Sequence, residues 1–165
     1  MQTAELAALV LACAPQVHPA TALALIATES GANPNAIGVV GGRLVRQPRH
    51  RQEALATIGS LDRGGWNYSV GLAQINRRNF ARLGLDAASA LDPCANLAAM
   101  QVVLSECYGR ASRPAVPGQR ALRQALSCYY SGDFSTGLRH GYVRKVVGAA
   151  AASPSLPVST SKESP

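Results

Sequence analysis

The sequence predicts a single, mostly α-helical domain with a minor β element. Three observations lead there. The chain has 165 residues, 47% of them apolar, which suits one core burying roughly 70% of the unfolded surface and leaves two full domains cramped. Apolar residues recur at helical spacing through most segments, and these are punctuated by Gly, Pro and capping residues. One stretch, Trp66-Asn67-Tyr68-Ser69-Val70-Gly71, is instead irregular or short and extended, and follows the Gly64-Gly65 break. Nothing repeats at a fixed period. Only 15% of residues are charged, so disorder is excluded except locally. No apolar run reaches the ~18 to 20 residues of a membrane span.

Taken in order, residues 3–14 carry Leu6, Leu9, Val10 and Cys13 on one helical face. The apolar run Leu6 to Ala14 resembles the core of a signal peptide. However, no basic residue precedes it, Glu5 sits beside it and Pro15 follows. Val10-Leu11-Ala12-Cys13 is only a loose match to a lipoprotein processing site. The segment therefore reads as the first helix of the mature fold, with any signal peptide absent from this sequence or not recognisable in it. A second helix follows Pro19 and Thr21 and stops at Gly31. Residues 32–51, rich in Gly, Asn, Pro and Arg, form a long loop or small hairpin.

Glu53 to Leu61 is a short helix, Arg77 to Leu83 another, and Asp86 to Leu91 one further turn. Asp92-Pro93 is an N-cap and first-turn proline, opening a helix that runs to Tyr108-Gly109. Pro114 and Pro117 mark a linker before a helix from Gln119 to Tyr130. Gly132 to Gly141 is a loop, and a last helix runs from Tyr142 to Ala152. Residues 1–152 thus make one domain, and Ser153 to Pro165 is a disordered Ser/Pro-rich tail.

Four cysteines, Cys13, Cys94, Cys107 and Cys128, suggest two disulfides and an oxidising compartment, against the alternative of four buried thiols. Cys94 and Cys107 lie on one helix about 20 Å apart at 1.5 Å per residue, beyond the ~7 Å a disulfide spans. The pairings left open are 13–94 with 107–128, or 13–107 with 94–128. Metal-ligand spacing is absent.

The formal charge of +7, with 16 Lys+Arg against 9 Asp+Glu, suggests an acidic partner: nucleic acid, an anionic membrane surface or an acidic wall polymer. The densest positive patch, Arg43, Arg46, Arg49 and Arg51 with His50, is set among Pro and Gly rather than on a recognition helix. No G-x-S-x-G, P-loop or dinucleotide fingerprint is present.

The most informative carboxylate is Glu29. Ala22, Leu25, Ile26 and Glu29 share a face, so Glu29 projects from the apolar side of its helix. It also sits in the last turn, where the helix dipole disfavours negative charge. Both effects raise a carboxyl pKa toward that of a general acid. The alternative is a buried ion pair with one of the arginines. A second catalytic carboxylate does not stand out: Asp86 and Asp92 read as helix caps, Asp133 as a turn residue, and Asp62 lies in an exposed Arg-Gly stretch.

Four stretches in this order resemble the lysozyme-like (goose-type, SLT-type) lytic transglycosylases, especially the small forms attached to type IV secretion and conjugation machines. They are Ala27-Thr28-Glu29-Ser30-Gly31, Val70-Gly71-Leu72-Ala73-Gln74-Ile75-Asn76, Leu91-Asp92-Pro93-Cys94-Ala95-Asn96-Leu97, and Ala125-Leu126-Ser127-Cys128-Tyr129-Tyr130-Ser131-Gly132. Cys13-Ala14-Pro15 and Gly141-Tyr142-Val143 match as bookends. The resemblance implies an α+β fold with a small β element beside the cleft, and cleavage of the MurNAc–GlcNAc β-1,4 bond of peptidoglycan. Glu29 would be the catalytic acid, closing a 1,6-anhydro ring without help from a second carboxylate.

The resemblance also implies that Gly71, Leu72 and Gln74 line the cleft, with Gly71 admitting a sugar closely. Asn76 would bond a sugar or cap the next helix. Ser30 would orient Glu29 or the substrate N-acetyl group, and Tyr129 would lie near Glu29 and donate a hydrogen bond. The chain departs from the pattern at Tyr130, where the family has Asn. The same resemblance favours disulfides 13–94 and 107–128. The expected partners are peptidoglycan strands and secretion or conjugation components, in the periplasm. Nucleic acid, a metal and a cofactor are not expected, and the domain is expected to be monomeric. The competing readings are a hydrolytic lysozyme of the same fold and an inactive wall-binding assembly factor.

Overall fold

Helix α1, Thr3–Cys13, begins where the Glu5 carboxylate accepts the Gln2 N–H at 3.1 Å. Helix α2, Pro19–Ser30, has His18 Nδ1 accepting the Ala20 N–H and proline at its first position. It ends because Gly31 turns left-handed at φ 60°. The computed structural model describes residues 2–113 and 116–152. Pro114 of the expected linker and the expected tail lie outside them.

Strand β1, Ile37–Val39, pairs antiparallel with β2, Tyr68–Val70, and β2 with β3, Ile75–Asn76, giving the order β1-β2-β3. The segment 32–51 is therefore not a hairpin in itself. Its strand finds its partner beyond helix α3, Arg51–Arg63. The stretch after Asn76 is a 3-10 turn at Arg77–Asn79 that runs into the four-residue helix α4, Phe80–Leu83, before Gly84 breaks it. Asp86 caps α5, Ala87–Ala90, and Asp92 caps α6, Pro93–Ala111, through the N–H groups of Ser89 and Ala95.

Helix α7 is Gly118–Ser131 and α9 is Tyr142–Ala152. Between them the expected loop contains a four-residue helix, α8, Thr136–Arg139. Asp133 starts it by accepting the N–H groups of Ser135 and Thr136 at 2.8 and 2.7 Å. Gly137 lets it pack, since a Cβ there would lie 2.8 Å from the Ser127 Cα.

The core lies where α6 packs on α1 and α7 while α2 packs on α9. Val10, Leu25, Ile26, Leu72, Leu97 and Met100 are fully buried in it. Disulfides Cys13–Cys94 and Cys107–Cys128, with Cα separations of 5.2 and 5.7 Å, tie α1 and α7 to the two ends of α6. This is the pairing that the family resemblance implies.

Candidate active site

The three-stranded sheet and helices α2 and α7 enclose a cleft of about 550 Å³. Glu29 enters it from the last turn of α2. Tyr142, the first residue of α9, donates its hydroxyl to Glu29 Oε1 at 2.5 Å. Burial pushes the Glu29 carboxyl up to about 7, and the Tyr142 hydrogen bond opposes part of that rise. Tyr142 and Tyr129 are themselves pushed up by burial and then by the charge of Glu29. Both therefore stay neutral hydroxyl donors at ordinary pH.

Glu29 is the only carboxylate among the described residues lining the cleft. The other described acids have structural partners. Glu5 opens α1, while Asp86, Asp92 and Asp133 cap turns. Glu53 pairs with Arg46, Asp62 with Arg77 at 2.8 Å, and Glu106 with Arg82 at 2.9 Å. Asp62 also accepts the Tyr68 hydroxyl at 2.9 Å. Among the described residues, no group of three or more His, Cys, Asp or Glu is placed to hold a metal ion.

Gln74, Asn76 and Tyr129 line the cleft with Glu29. The Gln74 side chain lies along the floor, donating to the carbonyls of Ala36 and Gly71 at 3.1 Å each. Its Oε1 comes so near the Gly38 backbone that a Cβ there would meet it at 2.7 Å. Asn76 caps the following 3-10 turn, its Oδ1 accepting the Arg78 N–H at 3.0 Å, and its Nδ2 donates to Ser69 Oγ at 3.2 Å. Tyr129 does not donate to Glu29; its hydroxyl goes to the Ala73 carbonyl at 2.7 Å.

Ser30, Gly71 and Leu72 do not line the cleft. They build the turn beneath it. Ser30 Oγ donates to the Leu72 carbonyl at 2.7 Å, so its hydroxyl anchors the floor rather than orienting Glu29. Leu72 is fully buried. Gly71, at φ 80°, is glycine because Asn96 presses on it: a Cβ would meet Asn96 Nδ2 at 2.4 Å. The close approach that requires glycine here is by the Asn96 side chain.

Sequence reasoning gave no role to Asn96 or Tyr142. Fully buried Asn96 donates to the carbonyls of Val70 and Ala90 at 3.0 and 2.8 Å, and accepts the Ala73 N–H at 2.8 Å. Tyr142 meets Glu29 from 113 residues away. Both stand in matched motifs, and that was their only signal. Asn96→Ala would remove three hydrogen bonds to buried backbone groups. Urea unfolding is expected to show a loss of about 3 kcal/mol with little change in m; a loss below about 1 kcal/mol would contradict this account.

A helical body, a small antiparallel sheet and a lone protonatable carboxyl at a helix end define the lysozyme-like class of fold. The chain belongs to the transglycosylase SLT domain family, whose model matches residues 8–146. A type IV secretion system protein virB1 of Brucella suis biovar 1 (strain 1330) is 51% identical over 145 residues, covering 84% of this chain and 60% of the relative. A protein virB1 of Agrobacterium fabrum (strain C58 / ATCC 33970) is 41% identical over 141 residues, covering 84% and 56%. The chain thus spans less than two thirds of the length of these relatives. No solved structure gives a significant match. No helix among the described residues is long and apolar enough to cross a membrane.

Proposed function

We propose that this chain is a peptidoglycan lytic transglycosylase that opens the wall locally in the periplasm for a type IV secretion or conjugation apparatus. One observation carries the reading: the cleft holds a single carboxyl, raised to about 7, with no second carboxylate among its described lining residues. An acid at that value is about half protonated at neutral pH and can both give and take a proton. Protonated Glu29 transfers its proton to the glycosidic oxygen as the C1–O bond of MurNAc breaks, and GlcNAc leaves with a free 4-hydroxyl. The Glu29 carboxylate then takes the proton from the MurNAc C6 hydroxyl. That oxygen bonds to C1, closing the 1,6-anhydro ring and returning Glu29 to its protonated form.

Tyr142 holds the carboxyl in place for both transfers, while Gln74, Asn76 and Tyr129 shape the bed for the sugars. The domain acts as a monomer and needs no metal or cofactor for these transfers. The secretion context rests on the names of the relatives, and the net charge of +7 favours the acidic wall.

Mass spectrometry of digested peptidoglycan is the test. Anhydro-muropeptides are expected. Products with only reducing ends would mean hydrolysis, and binding without turnover would mean an assembly factor. Because the first step needs the protonated acid, turnover is expected to fall as pH rises through about 7.

A further inference from the structure

One ring in the cleft wall has no part in this reaction scheme. Tyr130, near the end of α7, is 47% exposed and lines the cleft with Glu29. It lies flat on Tyr142, the ring centroids 4.6 Å apart and the planes 20° from parallel. His140, between α8 and α9, braces it from the edge at 6.1 Å, with Nδ1 3.5 Å from the Tyr130 hydroxyl. Beneath it Tyr142 is only 7% exposed, and its hydroxyl reaches Glu29. Water that would reach Tyr142 from this side meets the Tyr130 ring first.

We propose that Tyr130 is a positioning residue that roofs the Tyr142–Glu29 pair and keeps bulk water away from the acid. The inference rests on Glu29 being the acid of the proposed reaction. It gives a reason for the aromatic ring at a position where the family pattern has Asn: a small amide cannot cover a phenol ring, and it draws water to the place it occupies. The dominant cause of the raised Glu29 carboxyl is burial, and the roof sustains that burial from the cleft side. The titratable and charged groups around the pair are Tyr142 from α9, Tyr129 and Tyr130 from α7, His140 from the α8–α9 turn, and Arg78 across the cleft.

The test is a carbon-13 NMR titration of the Glu29 carboxyl in the whole chain, run beside the pH profile of wall degradation. Wild type is expected to titrate near 7. Tyr130→Asn should titrate about one pH unit lower, cutting the protonated fraction at neutral pH by about fivefold, with activity lost selectively on the alkaline side. Tyr130→Ala, which also removes the roof, should behave likewise and serves if the Asn variant does not fold. Tyr130→Phe keeps the ring but loses the hydroxyl facing His140, and should hold the wild-type midpoint.

An unmoved midpoint in both the Asn and Ala variants would overturn the proposal, even if rates fell evenly at every pH. A Phe variant shifted as far as Asn would overturn it too, because the hydroxyl and not the ring would then matter. Should wild type degrade no wall, the proposed function fails while the midpoints still decide the role of Tyr130.

Discussion

Glu29→Gln is expected to lower wall degradation by about a thousandfold, the share a positioned general acid supplies. The amide keeps the size of the side chain and can still accept the Tyr142 hydroxyl, so the cleft keeps its shape while the transferable proton is lost. Stability should move the other way. A carboxyl raised from 4.5 to about 7 in the folded state holds its proton more tightly folded than unfolded. Raising pH from the unfolded value through the folded one therefore costs stability, and Gln removes that cost. At pH 8 the variant should be more stable by on the order of 1–3 kcal/mol and equal to wild type below about pH 4. Muropeptide release and thermal melting, measured on the same preparation, check both signs. Activity retained near the wild-type level would remove Glu29 from the mechanism.

Replacing both Cys13 and Cys94 by Ala is expected to lower stability by about 4 kcal/mol, read by urea unfolding, and the melting temperature by roughly 10 °C. That bridge joins residues 81 apart, and its loss frees a long loop in the unfolded chain. Cys107–Cys128 spans only 21 and should cost roughly 1 kcal/mol less. A change smaller than about 1 kcal/mol in the Cys13/Cys94 variant would show that α1 docks by packing alone. Two disulfides are what an oxidising compartment permits, in keeping with the proposed periplasmic site.

The elements that were legible in the sequence are those with chemical punctuation. Pro19 and Gly31 bracket α2, and Asp92-Pro93 opens α6, as the periodicity predicts. Helix α8 was not legible, because beyond the local cap from Asp133 its four residues rest on a hydrogen bond from Gly137 to buried Ser127, which exists only where α7 packs against it. The site divided in the same way. Glu29 could be read from its helical face, which local spacing fixes. The places of Ser30, Gly71 and Leu72 could not, since proximity in a motif does not say which side chains face solvent and which face the core. Tyr142 was beyond reach for a related reason: its contact with Glu29 closes only after α9 packs on α2.

The turn from Gly71 to Gln74 is gripped by three separate helices: Ser30 from α2, Asn96 from α6 and Tyr129 from α7. All three take hold of main-chain groups. A hydrogen bond to a carbonyl or an N–H is indifferent to the side chain that residue carries, so the path of the floor is insulated from changes in what the floor displays. Residues facing the opening whose side chains hold no main-chain group, Val39 and Val40 among them, can drift under selection for a different ligand while the scaffold beneath keeps its course. Robustness and adaptability here reside in different atoms of one short segment.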